Sequence, residues 1–394
     1  MPAPLVLPSV SINTTGAAPI VSKEDYLTGV MTITDGRTAA VLSTGALEIR
    51  GRGNSTWAFP KKPYRIKYTN STPQLGMPSS KHWVLLANYA DKTLLRNDVV
   101  FELGRQLGHT GWVPRSQTVD VTINGSYEGV YQLVEQIRVD KNRVNITEMK
   151  VGDTTGSAVT GGYLIEVDER LGEDFCFIAT RTGRPFCLNT PETLLEAGWS
   201  AQRQYIQEYI NNTEAALYGA QFDDPTVGYA AWLDVDSAVD FYLLQELVRN
   251  ADAMRYSTFL NKPRNGKLAF GPLWDFDLVI GNAGFDGVWN PEGWSVRNQP
   301  WFARLYEDPA FRQKVKQRWD SFKADGKLAA LYAYIDSRAF DLKLAQEKNF
   351  QRWPIFNIDV FNNPALPGSY DGEIGYMKGW LAQRVAWFDA NLTD

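Results

Sequence analysis

The stretch that decides the fold is residues 250–282, NADAMRYSTFLNKPRNGKLAFGPLWDFDLVIGN. Asp252 follows the polar end of a helical segment, and the next residues have the composition of two short strands, YSTFL and KLAF, around a Pro-Arg-Asn-Gly turn. Trp274-Asp275-Phe276-Asp277 is expected to close the second strand. The pattern therefore predicts one hairpin that brings Asp252 and Asp275 to the same end.

Two carboxylates at one end of a hairpin suit metal-assisted phosphoryl transfer. One takes or orients the proton of the accepting hydroxyl, and the other holds a cation that bridges phosphate oxygens. A purely structural interpretation also fits, in which Asp252 caps a turn and Asp275 pairs with an arginine. Trp274 and Phe276 alternate with the acids as in any half-buried strand, so the local pattern leaves both interpretations open.

Composition narrows the class of protein. The chain has 394 residues, so two lobes and one elaborated domain are both open. Its formal net charge is -5, and it lacks the surplus of basic residues that would indicate a nucleic-acid partner. No apolar run approaches membrane-spanning length. With His82 and His109 as the only histidines and no CxxC motif, a zinc enzyme or a histidine-activated nucleophile is disfavoured. Cys176 and Cys187 flank a predicted hairpin, where a disulfide and two buried thiols are both open.

The first strand-rich region ends in a glycine-bearing segment, Arg50–Trp57, with the sequence RGRGNSTW. Glycines let the backbone approach a ligand, while the arginines and the Asn-Ser-Thr run offer donors, so a nucleotide phosphate is expected near Asn54 and Trp57. A plain turn between strands explains the same residues.

A predicted strand and helix supply the next candidates. Lys61–Tyr68 alternates like a strand, with Arg65 and Lys67 on one face, and an inward cation there would neutralise phosphate charge. Residues 92–107 have helical periodicity, and Glu102 lies near the apolar stripe, where Lys67 is its natural partner. Surface lysine and solvent-facing glutamate are the ordinary alternatives for these two positions.

A third candidate region follows the hairpin predicted at Asn124-Gly125. Its second strand runs into Val134-Glu135-Gln136, where a two-lobed nucleotide enzyme would contact the base; otherwise Glu135 and Gln136 are polar strand ends. The small polar residues 151–160 predict a junction between a strand-rich lobe, 1–150, with one long helix and the nucleotide phosphate site, and a mainly helical lobe, 151–394, with both aspartates.

Several stretches in one order carry a family resemblance. They are RGRGNSTW, KKPYRIK, GMP with HWVLLANYADKTLLRN, FELGRQLG, DVTINGSYEGVYQLVEQI, STFLNK and GPLWDFDLVIGN. Together they resemble the spore-coat CotH kinase family over roughly residues 5–390. The resemblance implies an α+β, divergent two-lobed protein-kinase-like fold that binds ATP with magnesium and phosphorylates serine or threonine of a protein. It also favours a secreted, cell-surface or spore-associated bacterial protein over a cytoplasmic one.

The resemblance also implies residue roles. Asp252 looks like the family's catalytic aspartate and Asp275 like its metal-binding aspartate. Ordinary kinases have an HRD triplet before the catalytic aspartate and a metal-binding asparagine after it, whereas here no such triplet is present and Ser257 stands at the asparagine position. A second cation ligand is therefore expected from Asp277 or Asn282. Two alternatives remain: a non-catalytic nucleotide- or glycan-binding protein, and a kinase of a sugar or other small molecule.

Overall fold

The computed structural model describes residues 3–172 and 174–392. Seven strands of the first half close into a barrel in the order β1-β2-β3-β4-β5-β7-β6. Their bounds are β1 Ser9–Thr14, β2 Leu27–Thr34, β3 Val41–Gly51, β4 Tyr64–Gln74, β5 Met77–Leu86, β6 Ser116–Ile123 and β7 Ser126–Glu135. The barrel closes because β1 pairs antiparallel with β2 and parallel with β6, with Ser9 opposite Asp120.

The barrel interior follows from the period of two along each strand. Alternate apolar side chains point inward and are almost completely buried, among them Val10, Ile33, Ile49, Ile66 and Val119. The hairpin predicted at Asn124-Gly125 joins β6 to β7, with φ values of 50° and 82° at its two central residues. Positive φ at both positions is what a tight turn of this type requires, and the prediction of this hairpin is confirmed.

A second sheet has the order β12-β11-β8-β10-β9 and is antiparallel throughout. The strands are β8 Tyr163–Val167, β9 Phe175–Ile178, β10 Pro185–Thr190, β11 Thr258–Lys262 and β12 Ala269–Phe270. Cys176 and Cys187 face each other across β9 and β10, with their Cα atoms 4.0 Å apart, and form a disulfide.

The helices are α1 Ser55–Ala58, α2 Arg96–Leu107, α3 Ser200–Leu217, α4 Val235–Val248, α5 Pro300–Leu305, α6 Pro309–Ala324, α7 Lys327–Asp341, α8 Lys343–Arg352 and α9 Tyr370–Asn391. They pack mainly against one another, while α4 contacts β12 of the second sheet and α8 contacts β7 of the barrel. Short 3-10 turns lie at Thr15–Ala17, Ala158–Thr160, Tyr229–Ala231 and Val296–Asn298. Helix α4 is buried from Ser237 to Val248, which explains its apolar character on all faces. In the described part of the chain, no helix is long and apolar enough to cross a membrane.

The predicted two-lobed protein-kinase-like fold is wrong, although the chain is α+β. The strand-rich region is a closed seven-stranded barrel, and a separate five-stranded sheet lies among the helices of the second half. Sequence periodicity identified the strands but could not reveal closure, because the parallel pair of β1 and β6 joins residues more than a hundred positions apart.

Candidate functional site

A cavity of about 1060 Å³ lies beside the barrel and the second sheet, and Asp252, Asp275 and Asp277 all line it. The barrel side contributes the end of β3, the loop that follows it and the outer face of β4. The second sheet contributes Glu166 of β8 and, just beyond that strand, Asp168. The three aspartates of residues 250–282 thus share one cavity with side chains from both sheets.

The end of α4 places Asp252. The helix stops at Val248, and Arg249 adopts a left-handed conformation with φ 49°, which turns the chain. The side-chain oxygen of Asn250 then accepts a hydrogen bond of 3.0 Å from the Asp252 amide. Asp252 is therefore held by a capped turn, while its carboxylate faces the cavity.

Asp275 lies beyond the sheet. The expectation that residues 274–277 close the second strand is wrong, because β12 ends at Phe270 and an irregular connection follows. Asp275 has φ 69°, and the Ser257 hydroxyl donates to its Oδ2 over 3.1 Å. The amide of Phe276 donates to Asn97 Oδ1 over 2.7 Å, so α2 fixes this connection.

Backbone strain concentrates around these acids. Positive φ occurs at the non-glycine residues Arg249, Met254, Ser257, Asp275 and Ile280. Such conformations cost roughly 1–3 kcal/mol each and persist only where surrounding contacts over-determine them. Ile280 is β-branched, which makes its φ of 51° especially unfavourable. Strain of this density is typical of functional sites.

The acids share a desolvated, like-charged environment. Burial, followed by the negative charge of Asp275, raises the pKa of Asp252 from 3.8 to about 6. Burial and the charges of Asp275, Asp91 and Asp252 raise the pKa of Asp277 well above its ordinary value. A group of carboxyls that repel one another binds either protons or a cation.

Glu166 is a site residue that the sequence analysis missed. It lines the cavity from β8, and burial raises the pKa of its carboxyl to about 7 although Asn189 donates a 3.2 Å hydrogen bond to it. The alternation in GGYLIEVDER could have placed Glu166 on one face of a strand. Only the sheet order shows that this face meets the cavity.

The basic side of the cavity comes from the predicted glycine-bearing segment and from β4. Asn54, Arg65 and Lys67 all line it, as does Arg52. The Arg52 guanidinium lies 5.4 Å from the centre of the Trp274 ring, and burial lowers its pKa while Asp275 raises it. No carboxylate forms an ion pair with Arg52 among the described side chains. Arg52 stood in the quoted motif, but its role was not singled out from the sequence.

Lys67 is oriented differently from the sequence expectation. Tyr64, Ile66 and Tyr68 point into the barrel, which leaves Arg65 and Lys67 on the outer face of β4. Lys67 forms a 2.9 Å ion pair with Glu48 and is 46% exposed. The predicted cation faces the cavity because the cavity lies outside the barrel wall.

Two other predicted site residues, Glu102 and Glu135, do not line the cavity. Glu102 does not line the cavity; its carboxylate accepts from Arg105 and Gln106, so the expected pair with Lys67 does not form. Glu135 is fully buried, and Arg115 binds both its carboxylate oxygens over 2.8 and 2.9 Å.

Trp57 and Gln136 differ in whether they line the cavity. Trp57 does not line the cavity, and its ring packs against the Lys62 amine at 5.1 Å. Gln136 lines it, and its buried side-chain oxygen has no hydrogen-bond partner in the described structure. Arg65 Nε and His82 Nδ1 are likewise buried without partners and belong to cavity-lining residues.

The donor set fits magnesium bound together with phosphate. Magnesium takes oxygen ligands and commonly uses one or two carboxylates plus phosphate oxygens and water. Asp275 and Asp277 supply carboxylates, and Asn282, whose Nδ2 donates to the Asp277 carbonyl over 2.7 Å, steadies the connection. No group of three or more His, Cys, Asp or Glu side chains within residues 3–172 and 174–392 forms a metal site by itself. The remaining ligands would therefore come from phosphate and water.

Comparison with known proteins adds a family match. Residues 49–388 match the family model described as CotH kinase protein. A search of curated proteins found no match. The family match spans the glycine-bearing segment, both aspartates and all nine helices given above except the last three residues of α9.

Proposed function

We propose that this chain, which belongs to the CotH kinase family, transfers the γ-phosphoryl group of ATP to serine or threonine hydroxyls of a protein. The observation that carries the proposal is the meeting of Asp252 and Asp275 in one cavity with the Arg52 guanidinium. Acids and cations in one cavity are what a nucleotide, a metal ion and a hydroxyl acceptor require together.

In this proposal, Asp252 accepts the proton of the acceptor hydroxyl as its oxygen bonds to the γ-phosphorus, while the bond from that phosphorus to the bridging oxygen breaks and ADP leaves. ATP supplies the phosphoryl group, and magnesium neutralises charge on its phosphate oxygens. A base pKa of about 6 suits neutral pH, because the carboxylate form is available and still basic.

The other residues position these groups. Asp275 and Asp277 hold the metal ion, and Ser257 orients the Asp275 carboxylate through its 3.1 Å hydrogen bond. Arg52, Arg65 and Lys67 offer positive charge to the phosphates, with Asn54 beside them. Gln136 lines the same cavity and would contact the rest of the nucleotide. Trp57, Glu102 and Glu135 do not line the cavity and take no part in this proposal.

A secreted, cell-surface or spore-associated location belongs to the same proposal. It is supported by the disulfide between Cys176 and Cys187, since disulfides persist mainly in oxidising compartments.

The test is transfer of labelled phosphate from ATP to a serine-rich protein, with Asp252→Asn as the variant. Loss of the base is expected to lower kcat by about 10²–10⁴-fold. Asp336→Asn, an exposed aspartate paired with Lys378, is the matched control and should keep full activity. Full activity in Asp252→Asn would refute the assignment of the base. Transfer to glycans or sugars but not to protein would show that the acceptor is a saccharide hydroxyl.

A further inference from the structure

A second cavity, of about 580 Å³, shares no lining residue with the proposed catalytic cavity. Strand β11 connects the two. Ser257, which bonds Asp275, directly precedes this strand, and Lys262 at its other end lines the second cavity. The second cavity thus lies a full strand away from the proposed reaction and is not used by it.

Three aromatic rings form one wall of the second cavity. Tyr205 and Tyr209 lie one turn apart on α3, and Trp232 follows the short turn Tyr229–Ala231. The Tyr205 and Tyr209 ring centres are 6.0 Å apart, and those of Tyr209 and Trp232 are 5.1 Å apart. Tyr163 stacks behind Tyr205 at 6.1 Å, and Tyr209 donates to the Trp232 carbonyl over 2.9 Å. These contacts join the three rings into one cluster.

All three of these rings are partly buried, so each retains accessible surface. An aromatic face carries partial negative charge and attracts the C–H groups on the flat side of a sugar ring. Thr160, Thr226 and Asn265 line the same cavity. The Thr226 hydroxyl donates to Asp224 and the Thr160 hydroxyl to the Ser157 carbonyl, so these hydroxyls can only accept from a sugar, whereas the Asn265 amide can also donate. Aromatic walls with a few convergent polar groups are the ordinary composition of small-molecule sites.

The charge of this cavity is one-sided. Lys262 and Lys267 line it, and no aspartate or glutamate is among the described residues that do, although the whole chain carries a net charge of -5. Lys262 is only 1% exposed; its amine donates to the carbonyls of Thr160 and Pro263 over 2.6 and 3.2 Å and lies 4.5 Å from the Tyr209 ring.

Burial of an ammonium group without a carboxylate is costly, because neutral carbonyls replace only part of its hydration. Burial lowers the pKa of Lys262 to about 8. An ammonium group has three donors, so two carbonyl bonds leave one N–H without a carbonyl partner. An anionic group that reached this amine would offset the cost.

We propose that the second cavity binds an acidic saccharide, with a sugar ring packed on Tyr205, Tyr209 and Trp232 and its carboxylate or other anionic group paired with Lys262 and Lys267. The site would attach the protein to an acidic polysaccharide, independently of phosphoryl transfer. A neutral sugar would keep the ring contacts but leave the lysines without a counter-ion.

Calorimetric titration of the full chain tests the proposal with trigalacturonate, and with galactotriose as its uncharged counterpart. Trigalacturonate should bind saturably and at least about tenfold more tightly than galactotriose, since one desolvated ion pair accounts for that ratio. Trp232→Ala and Lys262→Met should each weaken trigalacturonate binding at least about tenfold. Lys343→Ala and Trp289→Ala, which remove exposed side chains outside the cavity, should leave it unchanged.

Because Lys262 is buried, Lys262→Met can fail to fold, and thermal unfolding followed by circular dichroism would reveal this. Lys267 is exposed, so Lys267→Ala then takes its place, with an expected loss of about threefold in affinity. Equal binding of both trisaccharides, absence of saturable binding, or binding unaltered by both Trp232→Ala and Lys267→Ala would overturn the proposal. A nucleotide that displaces trigalacturonate at tenfold lower concentration would also overturn it and assign the cavity to nucleotides.

Discussion

The barrel and the segment 249–282 handle backbone strain and charge in opposite ways. In the barrel, non-glycine residues with positive φ lie in connections between strands, such as Ala39, Leu75 and Asn124, and the interior is apolar. In the segment, strained residues flank the acids themselves, and like-charged carboxyls share a desolvated cavity. The difference indicates that the barrel stabilises the fold, whereas the segment contains strained and charged residues that destabilise the fold but form the proposed site.

The two regions are tied together by α2. Its first residue, Arg96, forms a fully buried ion pair with Asp91 over 2.5 Å. The same guanidinium donates to the Val279 carbonyl over 2.9 Å and to the Ile280 carbonyl over 3.3 Å. The strained end of the segment is therefore held by α2, whose Asp98 also accepts a 3.3 Å hydrogen bond from the Ser116 hydroxyl of β6.

The largest expected effect comes from breaking that tie. Arg96→Met leaves the buried Asp91 carboxylate and two carbonyls without their donor, and removing one partner of a buried pair costs about 3–5 kcal/mol. Urea unfolding should show a loss of this size. Lys378→Met removes an exposed pair with Asp336 and should cost less than about 1 kcal/mol. A loss in Arg96→Met no larger than in Lys378→Met would show that α2 does not hold the segment.

A smaller effect of opposite sign is expected from Asp252→Asn. The folded pKa of Asp252, about 6, lies above its ordinary 3.8, so its stabilising contribution is fully present below about pH 4 and is lost as pH rises through about 6. At pH 7 without magnesium, the variant should be more stable than the parent by about 1–3 kcal/mol, at 1.36 kcal/mol per pKa unit. At pH 4 the two should unfold alike.

Asp224 provides a control for the sign of this effect. Hydrogen bonds from Thr226 and Val227 lower the pKa of this carboxyl, so Asp224→Asn should destabilise the protein at pH 7. Urea unfolding at both pH values measures all three proteins. If Asp252→Asn is destabilised at pH 7 as Asp224→Asn is, the buried charge of Asp252 does not destabilise the folded protein.

The smallest effect concerns Arg52, which reaches from the barrel side toward the acids. Arg52→Met should raise KM for ATP about tenfold and change kcat less than about threefold, because this cation binds substrate and transition state alike. Arg52→Lys should restore only part of the affinity, since an ammonium group lacks the guanidinium fork. The exposed Arg37 supplies the control variant Arg37→Met, with unchanged kinetics. A loss of kcat without a change in KM would show that Arg52 stabilises the transition state instead of binding ATP in the ground state.

Local sequence signals predicted most strands and helices, and they predicted that Asp252 and Asp275 lie close together. The Asn124-Gly125 turn, the strands of the β11–β12 hairpin and the proximity of Asp252 to Asp275 depend on short stretches of chain, so their patterns were sufficient. Barrel closure was not predictable, because the β1–β6 pair is non-local. The face of Lys67 and the position of Glu166 depend on which side of each sheet meets the cavity, and periodicity alone cannot supply that.

The most direct test of the central claim, that Asp252 and Asp275 form one nucleotide and metal site, is calorimetric binding of a nonhydrolysable ATP analogue with and without magnesium. The parent should bind the analogue at least about tenfold more tightly with magnesium, and Asp275→Asn should lose that gain while keeping the magnesium-free affinity. Equal affinity of the parent and Asp275→Asn in the presence of magnesium would contradict the claim.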